Sequence, residues 1–461
     1  MAKKVLILLP DGVGLKNFAF TDFYKIGIQN GFEIKYWNNT PFNLSELGFN
    51  EIKIQKAKLN TKTDIYKNAR KHVELNQFVV RFNDIVYDSY RFPFSNNSLK
   101  KFLKSSLTKA IIYLNNSDTG LKKIRERIKT LEQSTTYFNQ CLEVLKKEQP
   151  DLVFCTNQRS VSAVAPLLAA QSLNIPTATF IFSWDNLPKA TMVVETDYYF
   201  VWSDYMKEEL LKYYSYISES QVFTCGTPQF ENHFNDSFKM SREDFFAQNG
   251  LDVDKRYICY SGDDITTCPD DAKYLEDLAE FISLKNQKGE NYGILFRPSP
   301  ADFSNRYDDV IKKYADIIVV LKPLWKQINN SWDTILPTPE DFKLQYNTIL
   351  HTDFVVNLGS SMVFDYAAHN KFCGFINYDI ENKKNKKWSV DIIYKYVHFR
   401  SMPNQNAVIW INDKHDFQKL FDVKDNNQNI NSAKEWFDLI IGKKPTEASR
   451  KIWESIITII K

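Results

Sequence analysis

A glycine followed by two serines marks the clearest candidate binding segment in the second half of the chain. NLGSSMVFDYA, residues 357–367, has the pattern of a strand, a short loop and a helix, and the loop holds Gly359, Ser360 and Ser361. Exposed amides and the dipole at such a helix start favour a phosphate group. Asp365 lies one turn after Ser361 on the same helix face, where its carboxylate could reach a ribose hydroxyl. A plain serine-capped helix would show the same pattern.

Two more strand ends in this half carry groups that can bind phosphate. After the run YICYS, a second loop precedes a helix and contains Gly262, Asp263, Thr266 and Thr267. In ILFRPSPAD, Arg297 ends an apolar run, and its guanidinium can hold a phosphate with two parallel hydrogen bonds. A threonine-capped helix and a surface ion pair are the structural alternatives. Because ligands of open α/β sheets gather at the carboxyl ends of the strands, the three features together predict a site for a nucleoside diphosphate.

Polar residues also follow two apolar runs in the first half of the chain. LLPDGVGLKNFAF and FIFSWDNLPKA place at these strand ends Asp11, Gly12, Gly14, Trp184, Asp185 and Asn186. Asp11 or Asp185 could deprotonate an acceptor hydroxyl, and Trp184 could stack on a sugar ring. The glycines would let an acceptor approach the backbone closely. A turn-forming Asp-Gly pair and a buried tryptophan are the alternatives.

Short apolar runs alternate with helical stretches, which is typical of βα units around a parallel sheet. The runs lie at 3–10, 32–38, 151–157, 177–182, 197–203, 221–226, 256–262, 293–300, 317–323, 352–359, 372–378 and 407–411. They form two sets of six, so we predict two doubly wound α/β domains with the polar stretch 231–255 as the linker. The predicted domains are 1–236 plus 445–461, which binds the acceptor, and 237–444, which binds the donor.

Composition limits the classes of function. The chain has 461 residues, 43% of them hydrophobic, and a formal net charge of +3, which favours a folded protein without nucleic acid as a partner. The six cysteines and six histidines show no metal-binding spacing, so no metal and no cofactor are predicted. No apolar run approaches the roughly 18 residues of a membrane span, and we expect a cytoplasmic protein.

A basic stretch at residues 98–131 could bring the protein to the inner face of a membrane. It contains nine Lys or Arg residues against Asp118 and Glu126. Apolar residues recur in it at helical spacing, at Leu99, Phe102, Leu103, Leu107, Ile111 and Ile112. A basic amphipathic helix can lie on anionic lipid. The alternative is a core-packing helix with a solvated charged face.

With these motifs the chain resembles the GT-B glycosyltransferases, which have two facing Rossmann-like domains and hold a nucleotide sugar in the second. GSSMVFDYAAHNKFCGFINYD (359–379) resembles a segment of bacterial CDP-glycerol glycerophosphotransferases and related surface-polysaccharide enzymes. VFTCGTPQFE (222–231) is similar to the Gly-x-Pro segment at their domain junction. Ser299 stands where the glycerophosphotransferases have a histidine. The resemblance also implies that the apolar C-terminal helix, 447–461, crosses back to the first domain.

The resemblance implies a glycosyltransferase that moves a sugar from a nucleotide-diphosphate donor to a glycan, a lipid-linked acceptor or a protein. No glutamate has another eight positions later, a spacing found in many retaining members, so an inverting, metal-independent reaction is predicted. Asp11 would be the base, with Asp185 as the second candidate, and Gly359, Ser360, Ser361 and Arg297 would hold the leaving group. Glycerol- or ribitol-phosphate transfer, a UDP-GlcNAc 2-epimerase and a non-catalytic glycan-binding or scaffold module are the alternatives.

Overall fold

The computed structural model describes residues 2–55, 57–95, 97–328, 335–422 and 427–461. The chain divides into two units. Unit 1 comprises Met1–Pro228 and Glu447–Lys461, and unit 2 comprises Gln229–Thr446. Among the described helices, none combines the length and the apolar character that a membrane crossing requires.

In the described part of unit 1, seven parallel strands form one sheet in the order β3-β2-β1-β4-β5-β6-β7. The strands are β1 (Lys4–Leu9), β2 (Glu33–Asn38), β3 (Glu51–Lys53), β4 (Leu152–Cys155), β5 (Thr177–Phe180), β6 (Tyr198–Val201) and β7 (Val222–Thr224). The central strands are buried along their length because helices cover both faces of the sheet. The strand order reverses between β1 and β4, so a ligand crevice is expected at the carboxyl ends of these two strands.

The helices of unit 1 are α1 (Leu15–Phe18), α2 (Asp22–Gln29), α3 (Thr63–Phe82), α4 (Leu99–Leu114), α5 (Asp118–Gln133), α6 (Thr136–Glu148), α7 (Val164–Ser172) and α8 (Asp204–Tyr213). Side-chain oxygens of Ser98, Ser117 and Thr135 accept from first-turn amides and fix where α4, α5 and α6 begin. Helices α3, α5, α6 and α7 contribute to the core beside β1 and β4.

Unit 2 has a parallel sheet in the order β10-β9-β8-β13-β14-β15, with a separate antiparallel pair β11-β12, among the described residues. The strands are β8 (Arg256–Ser261), β9 (Tyr292–Arg297), β10 (Ile318–Val320), β11 (Lys326–Gln327), β12 (Ile335–Leu336), β13 (Val355–Asn357), β14 (Cys373–Ile376) and β15 (Ile409–Ile411). The strand order reverses between β8 and β13, which places a second expected ligand crevice at their carboxyl ends.

The helices of unit 2 are α9 (Arg242–Asn249), α10 (Asp271–Gln287), α11 (Asp308–Lys313), α12 (Pro339–His351), α13 (Met362–Ala368), α14 (Val390–Tyr394), α15 (Lys419–Asp422) and α16 (Asn427–Ile440). Phe245 and Phe246 of α9 are buried in a hydrophobic cluster with Tyr257 and Leu295. The stretch 231–255, predicted as a linker, is therefore a packed part of unit 2.

The C-terminal helix α17 (Ala448–Ile459) returns to unit 1, as the sequence predicts. Trp453 is fully buried, and its ring stacks on Phe23 and Phe32 at centroid distances of 4.9 and 4.8 Å. Its indole nitrogen donates to the carbonyl of Phe23 at 2.7 Å. A Cβ at Gly27 would lie 2.2 Å from the indole ring, so the tryptophan can pack here only because residue 27 is a glycine.

All twelve predicted strands occur in the structure, and the two doubly wound sheets are confirmed. The short strand β3 and the pair β11-β12 are additional. The domain borders differ from the predicted ones in two places. Residues 229–236 lie in unit 2, and the chain returns to unit 1 after Thr446 rather than after residue 444. The assignment of 229–236 to unit 2 is supported by the side chain of His233, which binds Asp365 of α13 at 2.7 Å.

Candidate functional site

Asp11 lies at the switch point of unit 1, two residues after β1. One carboxylate oxygen accepts from the Val13 amide at 3.1 Å and starts a short 3-10 turn at Gly12–Gly14. The other accepts from Nδ2 of Asn157 at 2.6 Å. Since Asn157 follows β4, the neighbour of β1, this hydrogen bond joins the ends of the two switch-point strands.

The glycines after Asp11 are explained by packing. Gly12 and Gly14 are both buried. A Cβ at Gly14 would lie 2.3 Å from the hydroxyl of Thr156, so the end of β4 occupies the space beside this backbone. Packing against Thr156 thus accounts for this glycine, and close approach of an acceptor to Gly14 stays a prediction. A role for Gly12 in acceptor binding stays a prediction.

Asp185 belongs to a polar network after β5. One of its oxygens accepts from Ser183 at 2.5 Å and from Asn186 at 2.8 Å, and the other forms an ion pair with Lys189. Asn186 is 2% exposed and accepts from Nε2 of Gln158 at 3.0 Å. Both carboxylate oxygens of Asp185 are thus already bound by side chains of the same loop.

Trp184 does not offer an exposed ring for stacking. It is 7% exposed, which corrects the prediction of a sugar platform in favour of the buried-tryptophan alternative. The residue lies four positions after the end of the buried strand β5.

Sequence analysis missed the two side chains that connect the candidate residues of unit 1. Asn157 and Gln158 lie two and three residues after β4, are at most 1% exposed, and bind Asp11 and Asn186 respectively. Two side-chain amides so close to the end of the apolar run LVFC could have indicated them, since β4 is the strand beside the switch point.

A second acidic side chain lies near Asp185. Glu209 on α8 is 7% exposed, with one oxygen 3.5 Å from the Tyr205 hydroxyl. Burial, together with the charge of Asp185, raises the pKa of Glu209 to about 8. The region around Asp185 therefore holds a carboxyl group that is protonated at neutral pH.

In unit 2, the loop after β13 has the predicted form. Gly359 has φ +69°, and a Cβ there would lie 2.9 Å from Ile393, so this position requires glycine. The Ser360 amide donates to Oδ1 of Asn357 at 2.9 Å, and the Ser360 hydroxyl accepts from the Met362 amide at 3.3 Å. Ser361 is exposed and its side chain makes no capping hydrogen bond. The serine cap is thus made by Ser360, and phosphate binding by this loop stays a prediction.

Asp365 is engaged by a histidine of the same unit. Its Oδ1 lies 2.7 Å from Nε2 of His233, whose Nδ1 lies 3.2 Å from Nε2 of His369. Burial, with the neighbouring His233, lowers the pKa of His369 to about 3, so this second histidine is neutral. Sequence analysis missed both histidines, because they come from separate parts of the chain. Contact of Asp365 with a ribose stays a prediction.

Two amides of the loop after β8 are bound by a side chain of the same loop. The amides of Thr266 and Thr267 donate to Oδ1 of Asp264 at 2.8 and 3.2 Å, and both hydroxyls also donate to this carboxylate. Although burial opposes the effect, these hydrogen bonds lower the pKa of Asp264. Asp264 takes the place of an anionic ligand, which corrects the prediction for Thr266 and Thr267. Gly262 is buried, and a Cβ there would lie 2.9 Å from the Phe296 ring.

Asp263 lies beside a buried carboxyl group. Its amide donates to Asp271 at 3.0 Å, and Asp271 also accepts from the hydroxyls of Tyr260 and Tyr307. Oδ2 of Asp263 is buried and has no hydrogen-bond partner in the described parts of the chain. Burial, then Asp271 and Asp264, raise the pKa of Asp263 well above its usual range. A protonated Asp263 could donate a hydrogen bond, which keeps it a candidate binding residue.

Arg297 forms a buried ion pair instead of an open phosphate clamp. Its Nη2 donates to both oxygens of Asp341, at 2.9 and 2.8 Å, and the residue is 8% exposed. Asp341 also accepts from the Leu324 amide at 2.8 Å and from the indole of Trp325 at 2.7 Å. The prediction for Arg297 is corrected: the guanidinium holds Asp341, and Asp341 in turn holds Trp325.

A cavity of about 410 Å³ opens at the carboxyl ends of β9 and β10. Its walls include Pro298, Phe303, Tyr307, Lys322, Trp325 and Gln327. This volume lies within the usual 300–1,000 Å³ of small-molecule sites, and the mixture of aromatic walls with a few polar groups is typical of them. Sequence analysis missed the cavity, because most of its walls come from loops that carry no motif.

Within the described ranges, no three His, Cys, Asp or Glu side chains are grouped so that they could hold a metal ion. All six cysteines are buried and free.

A family model described as monogalactosyldiacylglycerol (MGDG) synthase matches residues 68–228, which lie wholly in unit 1. No curated protein matches the sequence.

Among solved structures, a protein of Listeria monocytogenes described as a UDP-N-acetylglucosamine 2-epimerase has a TM-score of 0.54 and 11% identity, over 99% of this chain and 96% of that one. S. aureus MnaA in complex with UDP has a TM-score of 0.51 and 12% identity over the same shares. A glycosyltransferase of Rickettsia africae has a TM-score of 0.51 and 12% identity over 100% and 99%. The chain has the GT-B fold. At these identities the likeness shows the fold alone, and the predicted fold class is confirmed.

Proposed function

We propose that this GT-B protein is a glycosyltransferase that takes a sugar from a nucleotide-diphosphate donor. Unit 2 would bind the nucleotide and unit 1 would bind the acceptor. The observation that carries the proposal is the cavity of unit 2, at the carboxyl ends of its strands. Parallel α/β sheets bind their ligands at this edge.

The walls of the cavity suit a nucleoside. Trp325 and Phe303 offer aromatic faces on which a base can stack, and Gln327 offers an amide for its polar edge. The Trp325 ring is held in place by Asp341. Lys322, at the same cavity, would supply the cation for the diphosphate, because Nη2 of Arg297 is already bound to Asp341. Ser360 and Ser361 remain the proposed hydroxyl groups at the next strand end.

The proposed reaction is an inverting displacement. The acceptor hydroxyl gives its proton to Asp11, its oxygen forms a bond to the anomeric carbon, and the diphosphate leaves with the electron pair of the broken bond. Asp11 is preferred over Asp185 because it lies at the switch point of the unit 1 sheet, where the ends of β1 and β4 meet. The proposed reaction uses no metal.

The family match supports a lipid among the acceptors that the sequence leaves open. The matching model is named for a synthase whose product is a glycosylated diacylglycerol. The residues of this chain that match it, 68–228, lie in the unit to which we assign the acceptor. We therefore propose a lipid-linked hydroxyl as the first acceptor to test.

Calorimetry with UDP, GDP, CDP and dTDP tests the donor assignment. We expect one of them to bind, and Trp325→Ala to weaken that binding about 5- to 150-fold, which corresponds to about 1–3 kcal/mol of stacking. Trp325→Phe is the matched control, because it keeps an aromatic face. Failure of all four nucleotides to bind would sink the proposal.

Product analysis separates the reactions that this fold supports. An epimerase converts UDP-GlcNAc without an acceptor, whereas a glycosyltransferase needs one. CDP-glycerol or CDP-ribitol consumption would instead support the phosphotransferase resemblance. A protein that binds a nucleotide but converts none of these donors would be a non-catalytic module.

A further inference from the structure

Helix α4 carries its leucines on the outside of unit 1. Leu99, Leu103, Leu107 and Leu114 are 75, 59, 50 and 77% exposed. The buried residues of the same helix are Ser105, Thr108 and a single apolar residue, Ile111. A surface helix of a globular protein usually shows the reverse, with its apolar stripe towards the core. The arrangement of α4 therefore needs a separate explanation.

Helical spacing places the four exposed leucines in one stripe. Positions 99, 103 and 107 are each four apart, and position 114 lies seven residues, about two turns, further on the same face. We call Leu99, Leu103, Leu107 and Leu114 the outer stripe. Phe102 and Tyr113 lie beside it and are 51 and 85% exposed. The helix thus presents a continuous apolar band with aromatic side chains at its edge.

The charges of α4 have one sign. Its sequence LKKFLKSSLTKAIIYL has four lysines and no acidic residue. Lys104 pairs with Asp64 of α3, and Lys109 lies 5.1 Å from the Phe94 ring centroid. Lys100 and Lys101 are exposed, and the ion pair described for a lysine of this helix is that of Lys104. The apolar band is therefore accompanied by uncompensated positive charge.

We propose that the outer stripe of α4 docks on the surface of a membrane that contains anionic lipids. The leucines would enter the boundary between headgroups and acyl chains, and the lysines would lie among the lipid phosphates. A second copy of the chain is a poorer occupant, because a symmetric contact would bring the lysines of both copies together. This inference is independent of the proposed reaction, since it concerns only the outside of unit 1.

Of the segment 98–131 that was predicted to contact a membrane, only the first helix, α4, exposes an apolar face. On α5, the apolar residues Ile124, Ile128 and Leu131 are buried in unit 1, and the basic residues Lys122 and Lys123 are solvated. Helix α5 thus follows the core-packing alternative, whereas α4 has the geometry of an interfacial helix.

Vesicle co-sedimentation tests the proposal with the full chain. Binding to vesicles of phosphatidylcholine mixed with phosphatidylglycerol should exceed binding to phosphatidylcholine alone and should weaken with salt. We expect Leu103→Ser with Leu107→Ser to reduce the partition coefficient at least about tenfold, since both lose apolar insertion. Lys100→Glu with Lys101→Glu should remove the preference for the anionic lipid.

Matched controls come from unit 2. Leu284 on α10 is 51% exposed, which is nearly the same exposed fraction as that of Leu107. Leu284→Ser should leave vesicle binding unchanged. Lys386 and Lys387 are an adjacent exposed pair, so Lys386→Glu with Lys387→Glu repeats the charge change elsewhere. Circular dichroism melts establish that each variant is folded, and Leu99→Ser with Leu114→Ser serves as the second stripe variant.

Three outcomes would overturn the proposal. The first is equal binding to both kinds of vesicle. The second is unchanged binding when both stripe variants are folded. The third is a dimer in sedimentation velocity runs that the stripe variants abolish, because the outer stripe would then be covered by a second copy.

Discussion

The strand ends of the two units carry similar polar residues but use them differently. In unit 1, side chains that follow three neighbouring strands bind one another, as Asn157 does with Asp11 and Gln158 with Asn186. In unit 2, several candidate residues instead bind partners that are not candidates themselves: Thr266 and Thr267 bind Asp264, and Arg297 binds Asp341. Buried polar groups take partners inside the protein first. A residue at a strand end is therefore part of a binding site only when the side chain to which it is hydrogen-bonded lies at the same site.

As a result, the cavity of unit 2 is not lined by most of the residues that were predicted to bind the ligand. The loops after β8 and β13 satisfy much of their own hydrogen bonding. The cavity lies instead at the ends of β9 and β10. The buried pair of Arg297 and Asp341 still contributes to it, because Asp341 fixes the Trp325 wall.

The largest effect is expected from Asp11→Asn. Loss of the proposed base should reduce sugar transfer about 10²- to 10⁴-fold, while nucleotide affinity stays unchanged. Steady-state transfer assays and calorimetry measure the two quantities. Asp185→Asn should have a smaller effect, because Lys189 already neutralises that carboxylate. If Asp185→Asn lost more sugar transfer than Asp11→Asn, Asp185 would be the better candidate for the base.

A double variant separates catalysis from the network around Asp11. Asp11→Asn places an amide opposite the amide of Asn157, so part of any loss could come from a broken hydrogen bond. Asp11→Asn with Asn157→Asp exchanges the two groups and restores that bond. We expect the double variant to recover stability in urea unfolding but not sugar transfer.

The second prediction concerns the ion pair of unit 2. Asp341→Ala leaves the buried Arg297 without its counter-charge and should lower the free energy of unfolding by about 3–5 kcal/mol. Urea unfolding followed by circular dichroism measures the change. Arg297→Met with Asp341→Leu removes both charges and should cost less than the single variant. A single variant as stable as the parent would show that the pair does not organise this part of unit 2.

The fold could be predicted from the sequence because its strands are buried on both faces. Runs such as KVLILL and YGILFR are apolar throughout, and the turns that follow them are marked by Asp, Gly or Pro. The return of α17 was implied by the resemblance, and Trp453 now shows the contact that fixes it. The pair β11-β12 escaped prediction because each strand has only two residues.

The candidate sites were predicted less completely, for a physical reason. The sequence shows which polar residues follow a strand, but it does not show which partner each one takes. Arg297 and Asp341 are far apart in the chain, as are His233 and Asp365. In each case the partner decides whether the predicted residue is open to a ligand. Asn157 and Gln158 were missed for the same reason, since their importance comes from their partners.

The third prediction is a pH dependence in unit 1. Burial raises the pKa of Glu209 to about 8, so in the folded state it keeps a proton that the unfolded chain loses above about pH 4.5. Its contribution to stability is therefore greatest at low pH and is lost as the pH rises to about 8. Glu209→Gln should remove this slope and raise the free energy of unfolding at pH 9 by about 1–3 kcal/mol.

Unfolding in urea at several pH values checks the Glu209 prediction. Glu208 is the neighbouring exposed acid, and Glu208→Gln is the matched control that should leave the slope unchanged. Equal slopes for the parent and Glu209→Gln would mean that this carboxyl is ionised in the folded state. Asp185 would then lie beside a second negative charge rather than beside a neutral group.

The smallest effect is expected from Thr267→Val. The substitution keeps the shape of the side chain and removes one hydrogen bond to Asp264, of 2.8 Å, so it should cost about 0.5–1.5 kcal/mol of stability. Nucleotide affinity should stay within about twofold of the parent, because Asp264 already binds the amides of Thr266 and Thr267. Calorimetry with the nucleotide that binds the parent checks the second statement. A loss of affinity as large as that of Trp325→Ala would show that the loop after β8 opens to the phosphates, and the contrast between the two units would then disappear.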